Sequence, residues 1–112
     1  MIVDFTFSIM IDSNLAESII NNIFLSSLDG ASKSGGCIAY SDNILQLIPN
    51  TLHCKKDEII ESDDAWLYWR LDLNVFPIGN VTVDNQRKVA HQIISLLEKH
   101  GACAELVAEF EL

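Results

Sequence analysis

His53 stands beside Cys54, and these are the residue types from which a thiolate nucleophile is made: the imidazole takes the thiol proton and stays as counter-ion. Neighbours in sequence rarely point together, and no third group that would orient the imidazole is evident, so the pair reads as an incidental loop neighbourhood. Metal chemistry has no better footing. The chain carries neither a C-x-x-C nor an H-E-x-x-H pair. His91 and His100 are nine residues apart on one helical stretch, which turns them to nearly opposite sides. His100 falls in the last turn, where an imidazolium offsets the helix dipole. Asp57, Glu58, Glu61, Asp63 and Asp64 lack the alternation and central glycine of a calcium loop and read as a solvated acidic face. Ser34-Gly35-Gly36 precedes a strand and does not match a phosphate-binding loop. The expectation is a protein that is not an enzyme, with no catalytic residues, no metal and no cofactor.

Charge carries more information than any motif. Sixteen acidic residues oppose seven basic ones, a formal net charge of −9. Such a surface repels nucleic-acid phosphates and anionic lipid, and it speeds capture of a basic protein. Neither nucleic acid nor membrane is therefore expected as a partner. No apolar run approaches the length of a membrane span. The start, Met1-Ile2-Val3-Asp4-Phe5, lacks a basic segment and reads as no signal peptide. Three widely spaced cysteines, Cys37, Cys54 and Cys103, suit a reducing cytoplasm better than a disulfide scaffold.

The elements that must position these residues follow from periodicity. The 112 residues fit a single α+β domain, 1–112. Val3, Phe5, Phe7, Ile9 and Ile11 alternate with polar residues and predict a strand. Asn14, with Glu17 three residues on, predicts the cap of a helix whose stripe is Leu15, Ile19, Ile20, Ile23 and Phe24, closed by Asp29-Gly30. Residues 32–36 read as a loop. Cys37–Tyr40 and Ile44–Ile48 form a hairpin around Ser41-Asp42-Asn43. Leu67, Trp69, Leu71, Leu73 and Val75 face one way on the next strand, with Tyr68, Arg70, Asp72 and Asn74 opposite. A second helix runs from Val83 to His100, capped by Thr82 or Asp84, with Val89, Ala90, Ile93, Ile94 and Leu97 as its stripe. After Gly101, Ala104, Leu106, Ala108 and Phe110 alternate with glutamates in a final strand. The order β-α-β-β-β-α-β implies a ferredoxin-like, open-faced two-layer sandwich, both helices on one face of a mixed sheet.

Open sheets of this architecture can bind RNA through exposed aromatics, and Trp66 and Tyr68 lie on the more polar face of their strand. Asp4, Asp72, Glu105 and Glu109 share or border that face, which argues against RNA. Trp66 and Tyr68 beside Arg70, Asp72 and Asn74 have the composition of a protein-recognition patch.

The C-terminal third, Glu98-Lys99-His100-Gly101 followed by Ala104-Glu105-Leu106-Val107-Ala108-Glu109-Phe110-Glu111, resembles small acidic bacterial toxin-immunity proteins, including those of contact-dependent growth inhibition. The aromatic strand from Trp66 to Phe76 and Pro77 is compatible with that resemblance, which covers roughly half the chain without an invariant motif. It implies a cytoplasmic antidote that binds a cognate toxin domain, typically a basic nuclease. On this reading the toxin-binding residues are Asp57, Glu58, Glu61, Asp63, Asp64, Trp66, Tyr68 and Asp72. The alternative is a non-catalytic regulatory or ligand-binding module that works as a homodimer.

Overall fold

The computed structural model describes residues 5–50 and 69–110. Among them are two helices and one six-stranded sheet: β1 (Phe7–Asp12), α1 (Glu17–Ser27), β2 (Ser32–Ser34), β3 (Cys37–Tyr40), β4 (Asn43–Pro49), β5 (Leu71–Pro77), α2 (Val83–Lys99) and β6 (Cys103–Val107). The spatial order is β2-β3-β4-β5-β1-β6, and every neighbouring pair is antiparallel.

The protein is therefore α+β and two-layered, but its sheet is not mixed and its strand order departs from the expected ferredoxin-like arrangement. The reason lies in where the helices deliver the chain. α1 carries it from the central β1 to the far edge at β2, and the meander β2–β5 walks back until β5 pairs with β1. α2 then carries it across β1, so that β6 pairs on the other side. β5 and β6 run parallel to each other, yet β1 lies between them, and no parallel ladder forms.

Strand parity sorts the side chains. Phe7, Ile9 and Ile11 lie opposite Val75, Leu73 and Leu71, and Leu45 lies opposite Val75 and Ile38. These residues share one buried cluster with Ile20 and Phe24 of α1 and with Val89, Ala90, Ile93 and Leu97 of α2. Both helices thus cover the same face. Burying a side chain the size of Phe24 contributes about 2–3 kcal/mol, so this cluster dominates the stability of the domain.

Several local features differ from the sequence expectation. α1 starts at Glu17 behind Ala16, which gives no side-chain cap. Ser13 Oγ instead accepts the Leu15 N–H at 3.1 Å, and the chain bends at Asn14, the expected cap, and Leu15 before the helix begins. Ile19 of the expected stripe is 47% exposed, because Ile20 and Phe24 alone point squarely into the core. Residues 32–34, read as loop, form an edge strand. Its side chains are all exposed, so it is held by backbone pairing to β3 and leaves no hydrophobic signature. The β3–β4 hairpin closes on Ser41 and Asp42, both at positive φ (49° and 61°), the backbone of a type I′ turn. β5 begins at Leu71, later than the alternation suggested, and Trp69 precedes it half-buried. Asn50 extends the β4–β5 ladder past Pro49 by donating its N–H to the Arg70 carbonyl and its amide to that of Trp69.

α2 follows its expectation closely. Thr82 Oγ1 accepts the Asn85 N–H at 3.0 Å. At the other end Ala102 N–H bonds to the Leu97 carbonyl and Gly101 N–H to that of Glu98, a Schellman motif with Gly101 at φ 83°. β6 ends at Val107, and Phe110 folds back to meet Phe7 edge-on, ring centroids 5.5 Å apart.

Candidate functional site

The second face of the sheet carries no helix among the described residues, and its side chains are set by register. Met10 of β1 lies opposite Glu105 of β6 on one side and Asp72 of β5 on the other, and Asp72 in turn lies opposite Ile48 of β4. The next row reads Val107, Ser8, Asn74 and Gln46. At the end of β1, Asp12 is paired with Cys103. With strands about 4.8 Å apart, Asp72 and Glu105 stand roughly 10 Å apart across Met10. Met10 is itself buried, 6% exposed, and Ile48 is half-buried, so what this face offers to solvent along the row is carboxylate, Glu105 and Asp12 in full and Asp72 in part.

These carboxylates differ in environment. Glu105 and Asp12 are exposed. Asp72 is half-buried, and its Oδ1 finds no hydrogen-bond partner among the described residues. Burial pushes its pKa above the ordinary aspartate value, and the neighbouring Ser8 hydroxyl offsets this in part. That hydroxyl has one proton and donates it to Asn74 Oδ1, 3.0 Å from Ser8 Oγ, so its support of Asp72 is weak. A carboxylate in this position gains from an arriving cation more than a fully hydrated one does, because less water has to be displaced.

Of the residues singled out from sequence, Asp72 is placed on this face. Asp57, Glu58, Glu61, Asp63, Asp64, Trp66 and Tyr68 lie outside the described residues, as do His53 and Cys54. Arg70, expected beside them as part of a recognition patch, is engaged elsewhere. Its Nε donates to the Ser13 carbonyl at 2.9 Å and its Nη2 to that of Leu15, so it ties β5 to the loop entering α1. Asn74 is on the face as expected, bound to Ser8.

Glu105 and Asp12 were not singled out as contact residues, although Glu105 was expected to border this face. The signal was present in part: Glu105 sits at an outward position of β6, but which strand β6 joins is not written in its own residues. Cys37 and Cys103 are free thiols on β3 and β6. Four strand spacings, about 19 Å, separate them, too far for a disulfide. No grouping of three or more His, Cys, Asp or Glu side chains suited to a metal ion occurs among the described residues. No helix among them is long and apolar enough to cross a membrane.

Comparison with protein-family models, characterised proteins and solved structures finds no match to this chain.

Proposed function

We propose that the protein is an immunity protein that binds and neutralises a cognate, basic toxin domain of the nuclease kind in the cytoplasm. The observation that carries this reading is the row Glu105–Met10–Asp72 with Asp12 beside it, in a chain of net charge −9. A nuclease groove is built to hold phosphates with Lys and Arg. Carboxylates spaced along a rigid sheet can occupy such a groove, and the half-buried Ile48 beside Asp72 adds an apolar contact to the polar pairing. The split β5–α2–β6 unit around β1 is the ferredoxin-like part of this scaffold. The acidic run Asp57, Glu58, Glu61, Asp63 and Asp64, with Trp66 and Tyr68, enters the same proposal as the segment leading into β5.

The test is co-expression with the product of the adjacent gene. Under this reading the two proteins co-purify, and the toxin kills cells only when this chain is absent. If the two fail to associate at low salt, the reading is wrong.

A second reading, a ligand-binding or regulatory module acting as a homodimer, draws on a different observation. Among the described residues the outer strands β2 and β6 each pair on one side only, and Val107 on β6 is 38% exposed. Light scattering separates the two, because the immunity reading does not require a stable dimer.

A further inference from the structure

On the helix-covered side, away from the acidic row, the end of α1 and the outer flank of α2 leave a groove of about 480 Å³. Its floor is apolar: Leu28, the Leu96 side chain, and the ring of Tyr40, which rises from β3. Tyr40 is only 7% exposed, and its hydroxyl donates to Gln92 Oε1 on the wall. A second hollow of about 270 Å³ adjoins it, shares Asp29, Tyr40 and Gln92, and brings in Lys88.

The α2 wall is ordered by helical spacing. His91, Ser95 and Lys99 succeed one another at i, i+4 and i+8, and Gln92 and Leu96 form a parallel ladder nearer the floor. Lys88 continues the Gln92–Leu96 ladder one turn toward the N-terminus. Lys88 and Lys99 are exposed and form no ion pair among the described residues. Asp29 is the acid of the opposite wall; its charge, after burial, helps hold the Tyr40 hydroxyl protonated, so Tyr40 stays a hydrogen-bond donor. In a chain of net charge −9, two of the five described Lys and Arg residues thus stand here, Lys99 on the groove and Lys88 on the adjoining hollow, with His91 between them along α2.

We propose that this groove is a binding site for a small organic anion with a flat apolar body. The body lies on Leu28, Leu96 and the Tyr40 ring. The anionic group lies against the α2 wall, held by Lys88 or Lys99 with His91, while Gln92 and Ser95 supply hydrogen bonds. The volume falls in the range of ordinary small-molecule sites, and the lining is of their kind, an apolar surface with a few convergent polar groups. The inference stands apart from toxin binding, because the groove and the acidic row lie on opposite sides of the sheet.

The probe is 1-naphthoate, titrated into the full chain and followed by amide chemical shifts. The expected result is saturable binding with a Kd of about 1 mM or tighter, the strength open to a ligand of that size. The shifts should centre on residues 27–29, 40 and 88–99. The neutral analogue 1-naphthalenemethanol and the exposed double variant Lys88→Glu/Lys99→Glu should each weaken binding about tenfold or more. Leu96→Trp, which fills the groove from a half-buried position, should abolish it. Non-saturable titration, shifts centred elsewhere, or equal affinity for the alcohol and the acid would overturn the proposal. Unchanged affinity in the lysine double variant would also overturn it, provided that variant keeps the parent amide spectrum outside α2.

Discussion

Asn43 and Gln86 form a reciprocal amide pair at the junction of β4 and α2. Asn43 Nδ2 donates to Gln86 Oε1 at 3.0 Å, and Gln86 Nε2 donates back to Asn43 Oδ1 at 2.8 Å. Both residues have no solvent exposure, and the remaining capacity is used: Asn43 Nδ2 also reaches the Ser41 carbonyl, and Gln86 Nε2 the Phe5 carbonyl. One pair of polar side chains thereby ties the hairpin turn, the approach to β1 and the first turns of the second helix together. A buried amide so fully satisfied specifies geometry, because no shifted register of α2 against β4 would pair it.

Replacing Gln86 with Leu leaves the buried Asn43 Oδ1 and the part-buried Phe5 carbonyl without the donor they share. The expected loss is about 2–3 kcal/mol in urea unfolding. Asn43→Leu/Gln86→Leu should lose less than the two single changes added together, by about 1 kcal/mol or more. Strict additivity would mean that the two amides do not act as a pair.

Gly101→Ala tests the stop of α2. A Cβ at Gly101 meets nothing within 4 Å, so the cost is conformational and comes from φ 83° alone. A loss of about 1 kcal/mol is expected, read as a lower urea midpoint with an unchanged slope. A neutral result would show that the backbone relaxes out of the left-handed region.

Asp72 sets a pH dependence with a definite sign. Its carboxyl has a higher pKa folded than unfolded, so the folded chain takes up its proton first as pH falls. The penalty for holding the ionised group half-buried is present in full above the folded pKa. It is relieved as pH falls through the interval down to the ordinary aspartate value of about 3.9. Asp72→Asn should therefore be at least as stable as the parent near neutrality, and its advantage should shrink across that interval. Urea midpoints measured between about pH 4 and 7 decide it; a variant that loses stability at neutral pH contradicts the sign.

Charge reversal on the acidic row probes the proposed toxin interface. Glu105→Lys sits at an exposed position and should leave folding intact. It should slow association with the basic toxin domain about tenfold or more at low salt, with the difference shrinking at high salt. An equal effect from Glu98→Lys, on the helix-covered side, would show that net charge matters and the row does not.

Much of the architecture was legible one element at a time. The stripe Val89, Ala90, Ile93 and Leu97, the Thr82 cap and the Gly101 stop define α2 locally, because each acts within a turn or two of its neighbours. β5 announces itself by alternation for the same reason, and β4 by the turn residues Ser41-Asp42-Asn43 that precede it. β2 did not, since Ser32-Lys33-Ser34 owes its strand conformation to partners on β3. Gln86 left one trace: it falls on the apolar stripe of α2, three residues before Val89. That its partner would be Asn43, 43 residues away, had no local sign.

The amino-acid sequence by itself determined the acidity of the chain, the number and kind of its long elements, and which side of each strand and helix is apolar. These depend on side-chain chemistry and on the 2.0 and 3.6 residue periods of the backbone. The tertiary structure alone decided that β1 would lie between β5 and β6, and so that Met10 would stand between Asp72 and Glu105 in one row. It decided as well that Tyr40 would floor a groove walled by α2. Hydrogen-bonded ladders accept almost any partner strand, so neighbours are chosen by how the whole hydrophobic surface closes, and that choice is written in no single segment.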